Sequence, residues 1–438
     1  SILFYTFLVS LVVVLLLSVT SLSRSTPSEA LRAAGTRATD SRAKGFRDVL
    51  VVSQVATSVL LLIASGLVLR SFRELTILDP GFRRDEILTS TLLLAGSSHE
   101  APERQPILLR QIRENVGAIP GVRGVGLINN LPIGGDIWGF SYLVEGEDPP
   151  ATGELPVASQ RTVTPSYFET MEIPLLAGRD FSDLDDERAE PVVIVNRTLA
   201  VRHGSVETIV GRRIRVGPLD GEDFRTVVGV VSDSRQWNIS DDIRPEIFFP
   251  YGQNPVSFYP RTTIVVASGE PPERLQPKIE DAVWSAAGEV PLVQVRTMER
   301  ILRDRVAPRR FLSVLFATFA SLALLLAAVG LYGVLSYTVN QQTVEIGIRA
   351  AFGATRADIG RLVLSRGAKL VVVGLLLGLG GAVLARGFLE GLLFGVSSLD
   401  PATFAAVSVF LVMVALVAVA IPARRAARLD PLRALRSE

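Results

Sequence analysis

Apolar residues along this chain gather into five long runs, at 2–22, 49–69, 311–337, 370–385 and 403–421. Each approaches the ~20 residues that an α-helix needs to cross a bilayer. The fourth run is short but extends back through 362–364. Thr355-x-x-Asp358 before it has the form of a capping box, and Asp400-Pro401 before the fifth supplies an N-cap with Pro at the first helical position. The pattern predicts five membrane helices. Between the second and third runs the period changes. Residues 73–308 alternate β-type runs rich in Val, Ile and Thr (86–94, 123–128, 191–195, 225–231, 262–267) with helical ones (102–118, 196–202, 273–287, 297–306). Gly and Pro punctuate them. This segment reads as an α+β domain with mixed sheets, in two lobes.

Charge sets the orientation. Arg24, Arg32, Arg37, Arg42, Lys44 and Arg47 follow the first run; Arg349, Arg356, Arg361, Arg366 and Lys369 follow the third. Arg424, Arg425, Arg428, Arg433 and Arg436 follow the last, whereas the 387–401 loop has no Lys or Arg. The positive-inside rule puts the three basic segments in the cytoplasm. The loop and residues 73–308 then lie outside, and five alternating spans satisfy every flank.

Composition narrows the function. The chain is 48% hydrophobic but only 7% aromatic, a Leu, Val and Ala palette that suits lipid. Its net charge of +1 offers no basic field for nucleic acid. With no cysteine, thiol catalysis and Cys-based metal sites are excluded. A P-loop needs Gly-Lys, and none of Lys44, Lys278 and Lys369 follows a glycine. Any ATP must therefore be bound and hydrolysed on a separate subunit, and no cofactor is expected in this chain. The histidines His99 and His203 lack ligand spacing. Asp183, Asp185, Asp186 and Glu187 lack EF-hand spacing and read as a solvated turn. No nucleophile elbow is present, so neither a catalytic nor a metal site is expected. Gln54 is the main polar residue of the second span, and Arg386 and Glu390 sit at the outer end of the fourth. Without buried acids there is no proton path, which argues against a secondary transporter.

Two features repeat or cluster. Pro27-Ser28-Glu29-Ala30-Leu31-Arg32 and Pro431-Leu432-Arg433-Ala434-Leu435-Arg436 both fit Pro-x-x-Ala-Leu-Arg at a basic exit from an apolar run. The match suggests one membrane unit used twice, the first copy only partly present here. In the basic loop after the third run, Glu345 and Arg349 are four apart and can pair on one helix face. Ile346 and Ile348 lie off that axis, where they would enter an apolar groove on a partner, and Gly347 and Gly353 permit close approach or a turn. An ordinary inner loop held by lipid headgroups would carry the same charges. Gly374-x-x-x-Gly378 on the fourth span, continued by Ala382, and Gly330-x-x-Gly333 on the third are small-residue stripes suited to helix packing.

Several stretches of the outer segment resemble MacB-like permeases. They are Pro120-Gly121-Val122-Arg123-Gly124-Val125, Leu131-Pro132-Ile133-Gly134-Gly135 and Val163-Thr164-Pro165-Ser166-Tyr167-Phe168. The run from Ile173 to Phe181, Pro191 to Asn196, and Val227-Val228-Gly229-Val230-Val231 continue the resemblance. Glu345-Ile346-Gly347-Ile348-Arg349 with Phe352-Gly353-Ala354 is similar to the cytoplasmic signature of FtsX-like permeases. The 201–206 loop, Val-Arg-His-Gly-Ser-Val, departs from the pattern. The whole is most similar to duplicated permeases of this family that lack an adjacent ATPase gene. The resemblance implies a domain order: 1–22, the last helix of a preceding FtsX-like unit; 23–47, a cytoplasmic linker; 48–72, a membrane helix; 73–308, a periplasmic core domain; 309–438, an FtsX-like permease domain. It implies a bacterial inner-membrane ABC permease subunit that works by mechanotransmission, coupling a cytoplasmic ATPase to movement of the outer domain in export. Glu345, Ile346, Gly347, Ile348, Arg349 and Gly353 would form the ATPase-coupling site. Implied partners are the ATPase, membrane lipid, an extracytoplasmic adaptor or substrate protein, and the preceding unit as a pseudo-dimer. The alternative is a non-transporting scaffold or signalling protein that regulates an outer partner such as a cell-wall enzyme.

Overall fold

A computed structural model describes residues 36–134, 139–147, 155–217, 224–236, 241–253, 261–288, 290–352 and 354–427. The first apolar run, both Pro-x-x-Ala-Leu-Arg copies and Gly353 lie outside the described residues. In chain order the elements open with α1 (Thr36–Ile77), β1 (Ile87–Leu93), α2 (Gln105–Gly117), β2 (Val122–Ile128), β3 (Gly139–Val144), β4 (Val157–Val163) and α3 (Tyr167–Thr170). Next come β5 (Leu175–Gly178), β6 (Val192–Asn196), α4 (Arg197–Arg202), β7 (Arg213–Val216), β8 (Phe224–Val231), β9 (Glu246–Pro250) and β10 (Arg261–Ser268). Last are α5 (Pro272–Ala287), β11 (Leu292–Thr297), α6 (Met298–Gln341), α7 (Thr343–Ala351), α8 (Arg356–Leu384), α9 (Arg386–Glu390) and α10 (Pro401–Ala427). Two compact units result: one takes the chain up to Arg70 and from Ser313 onward, the other Ser71–Leu312.

In the first unit, α1, α6, α8 and α10 are long and apolar enough to cross a membrane. The shortest, α10, has 27 residues, or about 40 Å at 1.5 Å per residue, against a hydrocarbon core of about 30 Å. The helices share a core that includes Val59 and Ile63 of α1, Leu331 and Leu335 of α6, Val371 of α8 and Val419 of α10. Their outer faces are equally apolar: Leu326, Leu376 and Val417 are each more than half exposed. A helix apolar all round is stable where the surroundings are themselves apolar. The two start signals are realised in side-chain geometry. Thr355 Oγ1 accepts from Asp358 N at 3.3 Å while Asp358 Oδ2 accepts from Thr355 N at 3.0 Å, closing the capping box of α8. Asp400 Oδ2 accepts from Thr403 N at 2.9 Å at the start of α10.

The second unit is α+β, and its strands all join one mixed sheet. Its pairing has two parts. β11, β1, β10 and β2 form an antiparallel sheet, while β4, β3, β7, β8, β6 and β9 pair in turn and β9 returns to β4, closing a ring. β5 pairs with β8 alone and lies outside the ring. A single residue pair, Ile128↔Val163, links the two. The parallel pairs are β4 with β9 and β6 with β8; the rest are antiparallel. Strands such as β10 read as unbroken apolar runs because both faces are covered. Ile264 and Val266 of β10 pack with Leu109 and Ile112 of α2 and with Ile279 and Val283 of α5. The alternate residues Val265 and Ala267 point into a second core with Phe168, Phe248 and Met298. The ring encloses a third core around Tyr142, Val193, Val195 and Phe249.

Asn196, fully buried, caps α4 and ties it to β9. Its Oδ1 accepts from Leu199 N and Glu246 N, each at 3.0 Å, and its Nδ2 donates to Arg244 O at 2.8 Å. Asn196→Ala removes a cap and strands two buried backbone groups, so it is expected to cost about 2 kcal/mol. A thermal melt of the purified protein checks this; an unchanged midpoint would remove the cap from the account.

Candidate functional site

Helix α7 follows α6 with a break of one residue and is the element that carries the Glu345 segment. Ile346 N donates to Gln342 O at 2.8 Å, so the turn that joins the helices is itself hydrogen-bonded. At about 100° per residue, Glu345, Ile348, Arg349 and Phe352 share one face within roughly 100° of arc. Residues 346 and 347 fall outside it. The observed burial follows this geometry. Arg349 Nη2 donates to Glu345 Oε1 at 2.6 Å, and both side chains are about half exposed. Ile348 is 44% exposed and Phe352 89%, whereas Ile346 is 3% exposed and packs in the membrane-helix core. Gly347 is buried as well.

This corrects one expectation. Ile346 and Ile348 are two residues apart, so a helix turns them about 200° from each other and they cannot enter the same partner groove. Ile346 anchors α7 to its own bundle, and Ile348 faces outward with Phe352. Phe352 shares the exposed face through its i, i+4 spacing from Ile348.

The ends of the helices beside this segment are pinned. The Arg47 guanidinium lies over the Tyr337 ring at 3.9 Å, Gln341 Nε2 donates to Tyr337 Oη at 2.9 Å, and Arg366 pairs with Asp48 at 3.5 Å. Deeper in the bundle the glycines behave unequally. A Cβ on Gly374 would stand 2.6 Å from Val55 Cγ1, and one on Gly378 2.5 Å from Val59 Cβ and 2.7 Å from the Ala56 carbonyl oxygen. Helices α8 and α1 are therefore in backbone-level contact along this stripe. Gly330 faces the Gln54 side chain, whose buried Oε1 has no hydrogen-bond partner among the described residues. Gly333 departs from the expected stripe: nothing described lies within 4 Å of its Cβ position. A spacing of three rotates it about 60° from Gly330, onto the outer face.

The remaining polar candidates are held by structural contacts. His203 Nε2 meets Tyr142 Oη at 2.9 Å and its Nδ1 meets Glu147 Oε2 at 2.6 Å. His99 stands 3.2 Å from Ser98 Oγ. In the 183–187 turn, Asp185 is bound by both terminal nitrogens of Arg179 at 2.8 Å, and Asp183 pairs with Arg113 at 2.5 Å. Burial pushes the Asp185 carboxyl up, but Arg179 and the Ser182 amide outweigh it and hold it below the usual carboxylate range. Ser398 Oγ donates to Glu390 at 2.9 Å.

Sequence comparisons agree with this layout. Residues 55–282 match the family model of the MacB-like periplasmic core domain, and residues 317–431 match that of the FtsX-like permease C-terminal region. A probable syringafactin export ATP-binding/permease protein, SyfD of Pseudomonas syringae pv. tomato, is 28% identical over 289 residues, covering 62% of this chain and 41% of that protein. The macrolide export ATP-binding/permease protein MacB of Wolinella succinogenes is 29% identical over 285 residues, covering 63% of this chain and 43% of that protein. The chain thus spans less than half the length of these relatives. The crystal structure of the periplasmic region of MacB from Actinobacillus actinomycetemcomitans aligns at a TM-score of 0.35 and 14% identity, covering 51% of this chain and 94% of that one. With one family model over more than half its length and the second over its closing helices, the chain belongs to the MacB/FtsX-like family of ABC permeases.

Proposed function

We propose that this chain is the permease subunit of an export-type ABC system of the bacterial inner membrane, working by mechanotransmission. A separate cytoplasmic ATPase docks on α7, and its cycle moves the extracytoplasmic unit. The observation that carries this reading is the outward face of α7. An ion pair and two apolar side chains, Ile348 and Phe352, stand exposed on a helix whose opposite side is locked into the bundle. Such a face is an anchor for a partner's groove. Helix α6 supports the transmission step. It runs as one helix from Met298, inside the α+β unit, to Gln341, one residue before α7, with Pro308 within it.

The rest of the reading extends this core. Residues 1–22 and 48–72 serve as membrane helices flanking a cytoplasmic linker at 23–47, giving five spans in all. Residues 73–308 are the periplasmic core domain and 309–438 the permease domain. The repeated Pro-x-x-Ala-Leu-Arg supports a pseudo-dimer with a preceding unit, and an outer adaptor or substrate protein completes the system. Export as the direction of work follows the names of the curated relatives.

The test is a pull-down of the full-length protein from native membranes. Wild type is expected to bring down an ABC ATPase. The double variant Ile348→Asp, Phe352→Asp removes both anchors and is expected to lower recovery about tenfold or more. Arg349→Glu sets two like charges at i, i+4 on an exposed face and should weaken recovery without unfolding the bundle. An ATPase retained by the double variant would reject the α7 face. No ATPase with wild type would favour the scaffold reading.

A further inference from the structure

Helices α6 and α10 leave a groove of about 440 Å³ on the outer face of the membrane unit, and it serves neither the core nor α7. Its walls are apolar: Val329, Phe410, Met413, Val417 and Ile421 line it, and Tyr332 closes one end. Phe410, Met413, Val417 and Ile421 are each between 44% and 66% exposed, so the groove is open along its length. At the Tyr332 end the character changes. Arg425, one turn beyond Ile421, donates from Nη1 to Tyr332 Oη at 2.9 Å. That acceptor is a hydroxyl, and among the described residues no carboxylate pairs with Arg425. Arg424 beside it is exposed too.

We propose that this groove binds an anionic phospholipid of the cytoplasmic leaflet, one acyl chain along α10 and the phosphate on Arg425. Two quantities select this occupant. The α10 wall from Phe410 to Ile421 is about 17 Å long, close to the ~15 Å depth of one leaflet's hydrocarbon. A helix of a second copy would cross the full ~30 Å, about twice the length of the groove. The charge is also of the right sign at the right level. Arg425 lies at the end of α10 that the positive-inside pattern puts in the cytoplasm, where anionic headgroups concentrate. A guanidinium already held by a tyrosine hydroxyl is oriented to take a phosphate through its remaining donors.

The proposal rests on the membrane orientation in the functional reading but not on any ATPase, so its test is made without one. The full-length protein is delipidated in detergent, titrated with phosphatidylglycerol or phosphatidylcholine, and read by native mass spectrometry. Wild type is expected to retain one phosphatidylglycerol in preference to phosphatidylcholine by about tenfold. Arg425→Gln is expected to abolish the preference while leaving weak binding of both lipids. Val417→Trp, which fills the groove at an exposed position, is expected to lose the bound lipid with Arg425 intact. Equal retention of the two lipids by wild type would overturn the proposal, as would an unchanged preference in Arg425→Gln. A lipid-free dimer that Val417→Trp splits would overturn it in favour of a second copy.

Discussion

Replacing Glu246 with alanine is expected to destabilise the protein by about 1–3 kcal/mol, the range for leaving a buried polar group short of a partner. Glu246 on β9 and Arg161 on β4 are 2% and 1% exposed and stand 4.0 Å apart. The strands run parallel with Ser159 opposite Glu246, so Arg161 is one same-face position further along. Arg161 also donates to Asn130 O at 3.3 Å, and Tyr167 buries its hydroxyl nearby, pushed well above the usual phenol range by burial. Glu246→Ala takes one neighbouring carboxyl away from the buried guanidinium. The pair also has a pH signature. Burial pushes the Glu246 carboxyl up to about 8, even against the pull of Arg161. Below about pH 4.3 the carboxyl is protonated folded and unfolded alike. Between there and about pH 8 the folded state holds a proton that the unfolded chain has released, so this group's contribution to stability falls as pH rises. Glu246→Gln keeps the neutral shape and cannot titrate. Melting midpoints of wild type and Glu246→Gln should therefore diverge from pH 5 to pH 8, with the variant gaining. Parallel curves over that range would show that the carboxyl does not hold its proton.

Gly378→Ala and Gly380→Ala should move stability in opposite directions, although both add one methyl to the same helix. At Gly378 the new Cβ would sit 2.5 Å from Val59 Cβ and 2.7 Å from the Ala56 carbonyl, part of a neighbouring backbone that cannot rotate away. Helices α8 and α1 must separate, at a cost of about 1–3 kcal/mol. Gly374 meets Val55 and the Val52 carbonyl in the same way, so the double substitution should disperse the bundle. At Gly380 nothing lies within 4 Å, and alanine should stabilise the helix by about 0.5–1 kcal/mol. Unfolding by detergent titration of the two single variants separates these outcomes. Equal effects would mean that α1 and α8 do not touch at Gly378.

The apolar period determined by itself where four membrane helices lie, because length and composition alone decide what crosses a bilayer. It also determined both helix starts, since Thr355 with Asp358, and Asp400 with Pro401, act within one turn of chain. The five strands read from sequence, including β1, β6 and β10, are those rich in Val, Ile, Leu and Thr. Strands β3, β4, β5, β7, β9 and β11 went unread. β4 is Val-Ala-Ser-Gln-Arg-Thr-Val, and its inward residues include Arg161, a charge whose interior partners Asn130 and Glu246 come from distant parts of the chain. The same limit governs the sites. That Glu345 and Arg349 would pair was legible because the pairing is local. Which isoleucine of that helix stays exposed depended on where the bundle core lies, and that depth is set by helices up to several hundred residues away in sequence. The closed ring of strands, the contact of Gly378 with Val59 and the cleft beside Arg425 are likewise products of long-range packing, which composition and period do not carry.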